Sequence, residues 1–203
     1  MSGRGASPTG SEPVRDQRSP SGAGLISSRP VHSGRIVDLS IDTVRFPDGS
    51  SGELEFIRHS GAAAVLPLLD ARDADDPLIL LIRQFRYAAG GYLFEVPAGR
   101  PDRVGEPWEE CASRELEEET GLIAGRLTPM TSILTTPGFT DERIHLFLAE
   151  DLRPGRTSPD HDEFIELVTL PLSDALSRIR GGEIEDAKTI CTLLFAAGFL
   201  LAR

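Results

Sequence analysis

Three glutamates, Glu115, Glu118 and Glu119, define the chemistry that this chain could perform. They sit in the run Arg114-Glu115-Leu116-Glu117-Glu118-Glu119-Thr120-Gly121 at i, i+3, i+4 spacing, which makes their side chains neighbours on a helix. At about 100° per residue, Glu115 and Glu119 each fall within about 20° of Trp108. That is the stripe that also carries Cys111, Ala112 and Leu116, whereas Glu110 and Glu117 take the opposite face. Glu118 lies beside the stripe. A run of charge is usually a solvated face, but this one turns partly inward. Like charges crowded on an inward face destabilise one another, so either their pKa values rise or a cation sits among them. A hard divalent cation with oxygen ligands satisfies the second option. Mg²⁺ fits best, because it commonly joins a few carboxylates to substrate phosphates.

A helix must hold these acids, and its ends are written in the sequence. Pro107 suits the first helical turn, where a missing N–H costs nothing. Glu109 and Glu110 suit the positive N-terminal end, and Gly121 suits a left-handed stop after the last turn. Around this helix, strand-like patterns occupy 35–44, 53–57, 62–69, 78–82, 92–96, 126–135, 143–149 and 164–170. Two helices are expected near the C-terminus, at 173–180 with Ser173 as N-cap and Gly181 at its end, and at 187–202. The second is apolar on nearly every face, which predicts burial in the domain or against a second chain. The fold class expected is α+β, a mixed sheet with one internal helix and a C-terminal helical pair. Residues 1–30, rich in Ser, Gly, Pro and Arg, read as a disordered tail. Residues 31–60 read as N-terminal strands and 61–203 as the main domain.

Composition narrows the function classes. The chain has 203 residues and a formal net charge of -11, which argues against broad nucleic-acid or anionic-membrane binding. It leaves room for a small anionic substrate, because a bound metal reverses the local field. All but one of the 21 basic residues are arginine, so phosphate contacts would be made mostly by planar guanidinium forks. The exception is Lys188. Two cysteines, Cys111 and Cys191, cannot build a disulfide framework and point to a reducing compartment such as the cytoplasm. No signal-peptide pattern and no apolar run of membrane-spanning length is apparent.

The segment from Gly99 to Leu122 resembles the Nudix box, the Gly…Glu…Arg-Glu-x-x-Glu-Glu-x-Gly signature of Nudix hydrolases. Glu106 stands at the family's spacing ahead of Arg114, and Arg114 through Leu122 matches every fixed position of the second half. The Gly99-to-Glu106 spacing is one residue longer than the family pattern, which alters the loop and leaves the helix register alone. The resemblance implies a Nudix fold, with a mixed sheet sandwiched by helices, and cleavage of a nucleoside diphosphate linked to another moiety. It implies Glu115, Glu118, Glu119 and the backbone carbonyl of Ala98 as metal ligands, with Mg²⁺ as cofactor and Mn²⁺ as a substitute. Arg114 would hold the helix charges, Glu106 would brace the loop, and Gly99 and Gly121 would be structural.

The flanks are similar to the ADP-ribose pyrophosphatase branch: Arg83-Gln84-Phe85-Arg86-Tyr87, Phe94-Glu95-Val96-Pro97-Ala98-Gly99 and Thr136-Pro137-Gly138-Phe139-Thr140-Asp141-Glu142. This resemblance implies ADP-ribose as substrate, AMP and ribose 5-phosphate as products, and a homodimer whose N-terminal sheet completes the partner's site. Arg86 is the candidate for the substrate phosphates or terminal ribose, and Arg100 and Phe139 are further substrate contacts. Glu163, which starts a strand, is the expected base beside Glu119, with Glu142 its rival. Other nucleoside diphosphate sugars, a dinucleotide, and a non-catalytic ADP-ribose sensor are the alternative readings.

Overall fold

A computed structural model describes residues 22–34, 36–158 and 164–201, which divide into two compact units at Ile57/Arg58. The first unit is a three-stranded sheet of order β1-β2-β3, with β1 at Gly24–Ser33, β2 at Asp38–Arg45 and β3 at Ser51–Arg58. β1 and β2 run antiparallel, with bulges between Leu25 and Ser27 and between Pro30 and His32. Asp42 in β2 accepts hydrogen bonds from Ser28 in β1 (2.5 Å) and from Ser40 (2.9 Å). The turn between β2 and β3 closes through Phe46 and Gly49, the latter at φ 85°.

β1 starts inside the stretch that the sequence predicted to be tail as far as residue 30. Every residue of β1 is exposed. Backbone pairing to β2 forms this strand and no side-chain burial accompanies it, so no apolar alternation announced it. Residues 1–21 lie outside the described residues.

The second unit is built on β4 (Ala62–Pro67), all six residues of which are buried. β4 sits between β7 (Ala98–Gly99), antiparallel to it, and β10 (Arg143–Glu150), parallel to it. β9 (Arg126–Leu134) pairs antiparallel on the far side of β10. Alternation along these strands divides the core into two layers. On one face Ala63, Val65, Phe147 and Ala149 pack against Cys111, Ala112 and Leu116 of helix α1 (Trp108–Thr120). On the other, Ala62, Ala64, Leu66, Leu146 and Leu148 meet Ile79 and Leu81 of a second sheet.

That second sheet has the order β12-β5-β6, with β5 at Leu78–Arg86, β6 at Gly91–Glu95 and β12 at Ile165–Pro171, all antiparallel. β5 runs four residues past the apolar stretch ending at Ile82, carrying Arg83, Gln84, Phe85 and Arg86 into the sheet. A short pair, β8 (Leu122–Ile123) with β11 (Arg153–Pro154), follows α1. Helices α2 (Leu172–Gly181) and α3 (Ala187–Phe195) contribute Leu172, Ala175 and Leu193 to the larger core layer.

Two boundaries differ from expectation. The N-cap of α2 is Pro171, not Ser173; the Ser173 N–H donates to Asp76, 97 residues away, so a distant carboxylate caps the helix. The C-terminal helix ends at Phe195, and a π-helical turn covers Ala196–Leu200. Its apolar surface is only partly buried, since Leu194 and Phe199 are exposed.

Candidate active site

Helix α1 presents Glu115, Glu118 and Glu119 as the wheel required, whereas Glu117, expected on the outer face, is half-buried and accepts the Arg156 N–H at 3.2 Å. Cys111, Ala112, Glu115, Leu116, Glu119 and Thr120 are buried, Glu118 is half-buried, and Glu109 and Glu110 are exposed. The helix stops at Gly121, which takes φ 70° and donates its N–H to Glu117 (2.8 Å). At its other end, the Trp108 ring stacks on His145 of β10, with centroids 4.2 Å apart.

The buried acids face β7. The Ala98 N–H donates to Glu119 Oε2 at 3.0 Å. Gly99, paired with Ala63, stands so close to α1 that a Cβ on it would lie 2.1 Å from the Glu115 carboxylate. No residue with a side chain fits there without displacing that acid. One consequence concerns Cys111, whose Sγ lies 3.6 Å from the Gly99 carbonyl. Burial, and then the charge of Glu115, pushes its thiol pKa up to about 11.

Arg114 ties the acids together. Its Nη1 donates to Glu115 (2.8 Å) and Glu118 (2.9 Å), its Nη2 to the Arg100 carbonyl (2.8 Å), and its Nε faces Glu106 and Asp102. Burial works against its charge, but the bonds to Glu106, Glu115 and Glu118 outweigh it and raise its pKa. Glu106 in turn accepts the Asp102 N–H at 2.8 Å and so braces the loop that carries the extra residue. The Arg114 hydrogen bonds hold the Glu106 carboxyl below its usual range. Ala98, Gly99, Arg100, Glu106, Arg114, Glu115, Glu118 and Glu119 thus form one constellation. A cavity of about 460 Å³ adjoins it, lined by Arg114, Glu117, Glu118, Arg156 and Ser158 among others.

The donor set suits a hard divalent cation, because it consists of carboxylate and carbonyl oxygens, two of the acids are buried, and Gly99 leaves the close approach open. Among the described residues no three acidic, His or Cys groups already stand in a metal-holding cluster. Glu115 and Glu118 instead share the Arg114 guanidinium, a cation of their own.

The remaining candidates are placed differently. Arg86 points Nε and Nη2 at the two oxygens of Glu95 (2.7 and 2.9 Å), a carboxylate that is 1% exposed. These bonds, together with the fields of Glu95 and then Glu119, raise the Arg86 pKa against the effect of burial. Arg100 donates from Nε to Ser60 (2.9 Å). Phe139 is exposed in the turn after β9, where its N–H donates to the Thr136 carbonyl. Glu142 accepts from the Thr135 hydroxyl (2.6 Å), while the nearby His59 Nδ1 accepts the Gly61 N–H (3.1 Å). Glu163 lies outside the described residues. The sequence reading gave no role to Glu95 or Lys188, which bond to each other 93 residues apart. The one available signal was Lys188 as a lone lysine among arginines.

Comparison with known proteins identifies the family. Residues 58–193 match the NUDIX domain family. The chain is 40% identical over 166 residues to the ADP-ribose pyrophosphatase of Bacillus subtilis (strain 168), covering 81% of this chain and 86% of that one. It is 36% identical to the methanol dehydrogenase activator of Bacillus methanolicus, covering 84% and 90%. In fold it is similar to a crystal structure described as an ADP compounds hydrolase, with a TM-score of 0.75 and 23% identity over 90% of this chain and 96% of that one.

Proposed function

This chain belongs to the Nudix family of hydrolases, and we propose that it cleaves the pyrophosphate bond of ADP-ribose to give AMP and ribose 5-phosphate. The observation carrying this reading is the pair of buried acids, Glu115 and Glu119, set against the bare backbone of Ala98–Gly99. Identity of 40% to an ADP-ribose pyrophosphatase selects the substrate.

Glu115, Glu118, Glu119 and the Ala98 carbonyl would hold the divalent cation, Mg²⁺ with Mn²⁺ as a substitute. When bound, such an ion neutralises the pyrophosphate and lowers the pKa of water for in-line attack. Arg114 keeps two of the acids oriented and offsets their mutual repulsion until the cation arrives. Glu119 orients the reacting water from its buried position, and Glu163 takes the proton. Support for Glu163 over Glu142 is twofold. Glu142 is already engaged by Thr135. Phe164, the residue after Glu163, accepts a hydrogen bond from Phe85, next to Arg86. Arg86 carries fixed positive charge within reach of the Glu119 field and would meet the substrate phosphates or terminal ribose. Arg100 and Phe139 would add contacts to the substrate.

We take the active species to be a homodimer, in which exposed Leu25, Ile26 and Val31 of the N-terminal sheet and Leu194 and Phe199 of the C-terminal segment find cover. A cytoplasmic setting goes with two free cysteines. Product analysis with ADP-ribose and Mg²⁺, compared with a panel of other nucleoside diphosphate sugars and dinucleotides, tests the reading. AMP and ribose 5-phosphate from wild type, and neither from Glu119→Gln, are expected. Tight ADP-ribose binding without hydrolysis would make the protein a sensor instead.

A further inference from the structure

Lys188 is placed where a cation is electrostatically unwelcome. It lies in the first turn of α3, at the positive end of the helix dipole. What holds it there is a second set of charges. Its Nζ donates to Glu95 and, at 3.1 Å, to Asp186. Asp186 is the N-cap of α3 and accepts both the N–H (2.9 Å) and the hydroxyl (2.6 Å) of Thr189. The Thr189 oxygen in turn accepts the Val96 N–H at 2.9 Å. The N-terminal turn of α3 therefore grips two consecutive residues, Glu95 and Val96. Pro97 follows, its carbonyl fixed by the Val65 N–H at 2.9 Å, and then come Ala98 and Gly99, which face the acid helix.

The grip has an electrostatic side. Burial alone would push the Glu95 carboxyl up, but the Arg86 hydrogen bonds and then Lys188 hold it below its usual range. Arg86 and Lys188 thus face Glu95 and Asp186 as two cations against two anions, with the N–H end of α3 beside Asp186.

We propose that Lys188 is a positioning residue: through Glu95, and alongside Thr189, it anchors the Ala98–Gly99 segment to α3 and so sets the distance between that backbone and the acids of α1. This rests on the reading of those acids as a cation seat. Partners that bond directly to a metal's ligands commonly contribute about 10- to 100-fold to affinity or rate, and Lys188, acting through Glu95 and the backbone to Ala98, belongs at the lower end.

The test compares full-length wild type, Lys188→Met and Lys188→Arg, with Mn²⁺ binding followed by electron paramagnetic resonance and ADP-ribose turnover measured in parallel. For Lys188→Met, Mn²⁺ affinity and kcat are each expected to fall by about tenfold, while the ADP-ribose KM moves by less than about threefold. Lys188→Arg should recover most of both losses. If Lys188→Met fails to fold, Thr189→Val cuts the parallel tie to Val96 at nearly constant volume and should shift both readouts the same way. Wild-type affinity and kcat in the Met variant, or an Arg variant no better than Met, would overturn the proposal. Mn²⁺ binding by wild type with no ADP-ribose cleavage would remove the substrate reading alone and leave the binding comparison decisive. A wild type that binds no Mn²⁺ would remove both.

Discussion

At the scale of single residues, the proposed chemistry rests on the acids and the glycine opposite them. Glu119→Gln keeps the size and the acceptor oxygen for the Ala98 N–H but loses the charge. Its kcat is expected to fall by about a hundredfold or more, with an unchanged circular dichroism spectrum. Gly99→Ala forces Glu115 out of its position, so it should lose about as much activity as removing a ligand, with calorimetry showing weakened Mn²⁺ binding. Cys111 gives a prediction of another kind. Its thiol is buried and has a pKa of about 11, whereas Cys191 is exposed. At pH 8 a thiol reagent should label Cys191 promptly and reach Cys111 only on unfolding. The inward turn of Glu115 and Glu119 was legible in the sequence because helical spacing alone fixes it. The roles of Glu95 and Lys188 were not, since a bond between residues 93 apart leaves no local pattern.

At the scale of elements, α1 is held by a small core layer in which Leu116 is fully buried beside Val65 and Phe147. Leu116→Ala should cost about 2–5 kcal/mol in chemical denaturation, through lost transfer energy and a cavity. Activity should fall with it, because the acids ride on the same helix. Both ends of α1 could be read in advance from Pro107 and Gly121, and β4, β9, β10 and β12 fell close to their expected spans. β1 could not, because its residues bury nothing. The Ser173 expectation failed for a related reason. Local sequence offers a cap, but Asp76 from a distant loop takes both the N–H and the hydroxyl of Ser173.

At the scale of the whole molecule, stability is tied to buried carboxylates paired with cations. The Glu95 carboxyl is held below its usual value in the folded protein. Such a group stabilises the fold above its unfolded pKa, about 4.3, and that contribution is lost as pH falls through the lower folded value. The urea midpoint of wild type should therefore drop steeply below about pH 4.3, and the drop should be shallower for Glu95→Gln. The net charge of -11 makes the isolated chain self-repelling, yet apolar side chains remain exposed in β1 and after α3. Sedimentation velocity is expected to give twice the chain mass. The larger unit was readable as an α+β fold because its strands and helices carry clear periods. The mutual arrangement of its two core layers came only with the structure.

The run Ala62-Ala63-Ala64 in β4 has a consequence for how this site could change. Ala63 lies under α1 and across from Gly99, so its methyl group acts as a shim whose thickness sets the gap beneath the acid-bearing helix. A valine there would crowd Cys111, Ala112 and Leu116 and press the acid-bearing helix away from the sheet. Variation in this one buried alanine would thus move Glu115 and Glu119 relative to the sheet without touching a single charged group.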